Sequence, residues 1–129
     1  MNISLFENIR DNYPEDKIIC INNFDYKELN DFIHSINCLI NSRTPFSIMN
    51  SSKCLNEEKI ILTFSISDHD IGIIKYTNKL FICLLSIAKY FEMIQLTFDL
   101  LKRGIELNYQ WLYDLNTPID LLLSKNSKW

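Results

Sequence analysis

The chain has 129 residues, 47% hydrophobic and 22% charged, with a net charge of −3. That length suits one domain spanning 1–129, and the composition is globular rather than disordered. The slight negative balance argues against a general affinity for nucleic acid or anionic lipid. Two glycines, Gly72 and Gly104, are too few and too far apart for a phosphate-cradling loop.

Twenty Ile, 17 Leu and 14 Asn stand against no Val and a single Ala. Packing does not require this, since Val and Ile serve strands alike. A bias toward AT-rich codons explains it, which speaks to origin rather than chemistry.

The first residues carry neither a basic nor an apolar targeting region, so a cytoplasmic location is expected. The most apolar stretch, 80–88, is followed by Lys89, Glu92 and Asp99, and reads as part of a core helix rather than a membrane span. Cys20, Cys38, Cys54 and Cys83 form no C-x-x-C pair and are read as reduced thiols.

In chain order, Ser4 and Glu7 have capping-box spacing, which predicts a short helix over 5–12, ended by Tyr13-Pro14. The run KIICI at 17–21 predicts a buried strand. Asp25 and Glu28 form a second capping box, with Phe24 and Leu29 as hydrophobic staple. The helix behind it places Leu29, Phe32, Ile33, Ile36, Leu39 and Ile40 on one face and His34 off that stripe. Residues 46–49 suit a brief edge strand. Residues 59–66 alternate as a strand, Ser67–Asp70 make a turn, and 71–76 return as the second arm of a hairpin. A long central helix is expected over 79–103, closed by Gly104. Ile105, Leu107, Tyr109, Trp111 and Tyr113 alternate onto one strand face, and Thr117-Pro118 opens a last short helix through 124. No internal repeat is visible. The middle six elements give an α+β fold of βαββαβ (ferredoxin-like) type: one antiparallel sheet, two helices packed on one face, and short terminal helices outside it.

Chemistry-bearing residues are sparse. Asp68-His69-Asp70 puts three ligand-type side chains in one turn. With KIICINNF at the first strand, ILTFSISDHD at the hairpin and LLKRGIELNYQWLY at the last strand, the layout resembles the palm of nucleotidyl cyclases. That resemblance implies metal-dependent phosphoryl transfer. Asn22 and Asn23 stand where it wants an acid, and no arginine follows Gly104 to steady phosphate charge. No catalytic set, metal site or cofactor is therefore assigned.

What remains is surface. Glu57, Glu58, Asp68 and Asp70 form one expected acidic group, and Asp11, Glu15 and Asp16 another. Such patches steer basic partners, and Trp111 or Tyr113 would serve as an aromatic anchor. A small, slightly acidic, glycine-poor chain of this composition resembles the immunity proteins encoded beside bacterial contact-dependent and other polymorphic toxins. The resemblance implies a binding protein, not an enzyme, whose partner is a cognate toxin domain rather than nucleic acid or membrane. A cyclase-like palm, and a phage or mobile-element inhibitor of a host complex, remain alternatives.

Overall fold

The computed structural model describes residues 1–7, 17–49, 59–106, 108–113 and 119–126. The order along the chain is β1 (Asn2–Glu7), β2 (Lys17–Asn22), α1 (Tyr26–Ser42), β3 (Phe46–Met49), β4 (Ile61–Ile66), β5 (Gly72–Lys75), β6 (Leu80–Leu85), α2 (Ile87–Arg103), β7 (Tyr109–Tyr113) and β8 (Ile119–Ser124). The fold is α+β, with two helices and two four-stranded mixed sheets. Sheet A runs β1-β2-β8-β7 and sheet B runs β3-β4-β6-β5. In each, the two central strands are parallel and both outer strands are antiparallel to their neighbours.

This differs from a single antiparallel βαββαβ sheet, and each difference has a local cause. The Ser4/Glu7 spacing does not cap a helix. Asn2–Glu7 is a strand whose Ile3 and Leu5 pair with Ile21 and Ile19 and point inward. The apolar run at 80–85 is strand β6, and α2 starts only after Ser86, whose hydroxyl accepts from the Lys89 amide. The expected last helix is β8, an inner strand of sheet A buried along most of its length. Strands β4 and β5 do not pair as a hairpin, because β6 lies between them and takes β4 in parallel register.

Helix α1 follows its sequence closely. The Asp25–Glu28 capping box is complete, and Phe24 and Leu29 are both buried. Its C-cap, Arg43, adopts a left-handed conformation at φ 52°, and α2 ends at Gly104 with φ 96°. The positive φ favours glycine at the second of these ends.

The two halves of the chain repeat one another in layout. Strand–strand–helix–strand–strand describes β1–β4 with α1, and again β5–β8 with α2. Each half gives its first hairpin to one sheet and its second to the other. Both helices have 17 residues. The buried positions of α1 (Leu29, Phe32, Ile33, Ile36, Leu39), each advanced by 61, are those of α2: Tyr90, Met93, Ile94, Thr97 and Leu100. The helix sequences coincide only at Ile33/Ile94 and Leu39/Leu100, which is why no repeat shows at the level of residue identity.

The inward faces of both sheets and the buried sides of both helices merge into one core, in which Phe32, Phe46 and Phe64 pack ring against ring. Burial of apolar area on this scale is the main force holding the sheets together. A smaller cluster of Ile18, Cys20 and Leu122, flanked by Phe6 and Trp111, lies on the opposite face of sheet A. No helix among the described residues is long and apolar enough to cross a membrane.

Candidate functional site

The two sheets differ in how their outward faces are treated. In sheet A that face is closed: Ile18, Cys20, Leu122 and Ser124 are all buried. In sheet B it stays open. Alternation along β3, β4, β6 and β5 turns Phe46, Leu62, Phe64, Phe81, Cys83 and Ile73 into the core. The intervening residues face outward in register. Met49, Ile61 and Leu80 form one row, and Ser47, Thr63, Ile82 and Ile74 the next. Ser65 and Leu84 begin a third row beside Gly72. Met49 is 57% exposed and Ile74 42%, while Ile61, Leu80, Ile82 and Leu84 are half-buried. The hydroxyls of Ser47 and Thr63 bond to each other at 2.8 Å, so these two polar groups satisfy one another.

The ends of this face carry opposite charge. Exposed Asp68, His69 and Asp70 follow β4 at one end. Exposed Lys75 ends β5 at the other, with Lys79 just before β6 and Lys59 just before β4. Tyr76, 70% exposed, stands among these lysines in sequence.

The two aspartates are not alike. The Asp70 carboxylate accepts the Ser86 backbone amide at 2.9 Å, where α2 begins. Desolvation raises its pKa, but the Ser86 backbone and side-chain hydrogen bonds, with the nearby Lys89 and His69 charges, together outweigh it and hold the pKa below the usual carboxylate range. Asp70 therefore fastens the β4–β5 connection to a helix N-terminus, where negative charge is favoured. Asp68 remains exposed at the rim. Among the described residues no three His, Cys, Asp or Glu side chains gather to hold a metal ion.

Of the other expected contact residues, only Trp111 and Tyr113 are among the described residues. Asp11, Glu15, Asp16, Glu57 and Glu58 lie outside the described residues, as does Cys54. The expected single aromatic face of 105–113 is broken by a register shift between Trp111 and Tyr113. It sends Trp111 toward the outer cluster of sheet A and Tyr113 into the main core, leaving Tyr109 43% exposed. Tyr113, 3% exposed, is a core side chain rather than a surface anchor.

A second apolar feature lies on α2. Phe91 and Phe98 are exposed at 52% and 41%, two turns apart on the outer side of the helix. The corresponding places on α1 are taken by exposed Asn30 and Asn37, so the architecture itself does not demand phenylalanine there. The sequence held a signal for this second feature, since Phe91 and Phe98 stand off the buried stripe of α2.

Comparison with protein-family models, with curated proteins and with solved structures gives no match to this chain.

Proposed function

We propose that the chain is a protein-binding module whose docking surface is the open face of sheet B. We further propose that its partner is a cognate bacterial toxin domain that it neutralises, as an immunity protein does. The observation that carries the reading is the contrast between the two sheets: one layout, used twice, closes the outer face of sheet A but on sheet B leaves Met49 and Ile74 exposed and Ile61, Leu80, Ile82 and Leu84 only half-buried. Apolar patches of this kind, rimmed by charge, mark interaction surfaces.

Size refines the proposal. Six residues each in β4 and β6 and four each in β3 and β5, at about 4.8 Å by about 3.3 Å per residue, give a face of roughly 320 Å². A stable complex buries about 800 Å² on each partner, so the strands supply about two-fifths. The remainder falls to the rims, Asp68 at one end and Lys75, Tyr76 and Lys79 at the other. A partner that fits presents an apolar ridge with a basic group set to meet Asp68. Capping of a toxin's active site or substrate path by this face would block it without any chemistry by the chain itself.

The test is binding between the purified chain and the product of the neighbouring toxin gene, with suppression of its toxicity. Ile74→Asp, on an exposed edge strand, is expected to weaken binding at least tenfold while leaving the urea midpoint unchanged. Asp68→Lys is expected to slow association, most strongly at low salt. Absence of both binding and protection overturns the immunity reading. Tight binding indifferent to Ile74→Asp moves the interface elsewhere, with Phe91 and Phe98 the next surface to vary.

A further inference from the structure

We propose that His34 and Cys38, on the exposed side of α1, form a two-ligand half-site for a thiophilic divalent cation, with Zn²⁺ its natural match. The two residues are one turn apart, both are exposed, and Cys38 Sγ lies 3.6 Å from His34 Nε2. Zinc–sulfur and zinc–nitrogen bonds of about 2.3 and 2.05 Å at a tetrahedral angle place the two ligand atoms about 3.5 Å apart. The side chains thus already stand at the separation a shared metal ion requires, on a helix that fixes both backbones.

Coordination takes the Nε2 lone pair of the imidazole, leaving the proton on Nδ1. The Cys38 thiol gives up its proton to solvent and binds as thiolate. Water completes the two open positions, so affinity lies well below that of a four-ligand structural site. Nucleophilic catalysis fits the same pair poorly. It stands on a convex helix face beside exposed Asn30, Asn37 and Asn41, where the mid-helix amides are spent on carbonyls four residues back and cannot hold an oxyanion.

The repeat in the fold supplies the control. Gln95 and Asp99 occupy on α2 the places of His34 and Cys38 on α1, so His34→Gln introduces a residue the same helix position already carries in the other half. The experiment titrates the full chain, kept reduced with a phosphine, with Co²⁺ as spectroscopic probe. Expected are one cobalt per chain, a thiolate-to-cobalt charge-transfer band displaced by Zn²⁺, and no change in oligomeric state. His34→Gln, which leaves every thiol in place, should weaken binding at least tenfold, and Cys38→Ser should abolish the band. A band that persists in Cys38→Ser, equal affinity in His34→Gln, metal-driven dimerisation, or no band at millimolar Co²⁺ each overturns the proposal.

Discussion

Tyr90 ties α2 to the middle of sheet B, and removing its hydroxyl measures that tie. The side chain is fully buried in the first turn of the helix, and its oxygen lies 2.8 Å from the Ser65 carbonyl of β4 and 3.0 Å from the Cys83 carbonyl of β6. One proton serves two acceptors on neighbouring strands, so only one full hydrogen bond is made at a time. Burial, reinforced by the Cys83 side chain beside it, drives the Tyr90 pKa far above the ordinary tyrosine value. The hydroxyl is therefore a donor at every accessible pH. Tyr90→Phe keeps the ring and its packing but leaves a buried carbonyl short of a donor, a loss of about 1–2 kcal/mol. With an unfolding entropy of about 2.1 cal/mol/K per residue, a chain of this length loses about 4–7 °C in Tm. Urea unfolding followed by circular dichroism should show a lower midpoint at unchanged m-value. Tyr90→Leu, which installs the residue type found at the matching position Leu29, should cost more, because the ring volume is lost as well. A Tyr90→Phe variant as stable as the parent would refute the assignment of that hydroxyl as a buried, obligate donor.

Two further outcomes follow from charge and burial. Asp70 has a folded pKa below its unfolded value, so its contribution is present above about pH 4 and is lost as pH falls through the folded pKa. Because the Asp70 carboxylate is exposed and screened by solvent, Asp70→Asn should lower stability at pH 7 by only about 0.2–0.5 kcal/mol and converge with the parent toward pH 2, read from urea midpoints across pH. Burial pushes the Cys20 thiol up to about 11, against the lowering effect of the Asn22 and Ser124 hydrogen bonds. It pushes Cys83 up to about 12. At pH 8 both should react with a thiol reagent only as fast as the chain unfolds, while exposed Cys38 reacts at once; peptide mapping of the labelled chain distinguishes them.

The elements legible from sequence were those whose signals are local. Helix α1 has its cap, staple and stripe within 18 residues, and all three appear in the structure. Strands β2, β3, β4 and β5 fall where alternation or short apolar runs place them. The misreadings came where one local pattern fits two structures. A Ser–x–x–Glu spacing also fits a strand whose Ile3 and Leu5 point inward, and the run LFICLL shows no period to separate it from the helix behind. Only Ser86 marks that boundary. Pairing of β2 with β8 and of β4 with β6 is non-local, and nothing in the alternation of a strand names its neighbour. The open face of sheet B was hidden for the same reason. Its outward Ile and Leu read as core until the sheet shows which side is covered.

The exchange of hairpins between the two halves bears on how the chain reaches its fold. Sheet B joins Ile61 to Leu80, 19 residues on, whereas sheet A joins Lys17 to Ile119, 102 residues on. Closing the longer loop costs about 1.5 kcal/mol more in chain entropy, so sheet B has the head start and sheet A waits for the last strand. Neither half owns a complete sheet. Severed in the 67–71 connection, each piece would keep two hairpins and a helix but only one side of every parallel seam. The fold is thus laid out as a strand-swapped pair of identical-plan subunits written into one polypeptide, with covalent linkage replacing the concentration dependence that such a pair would carry.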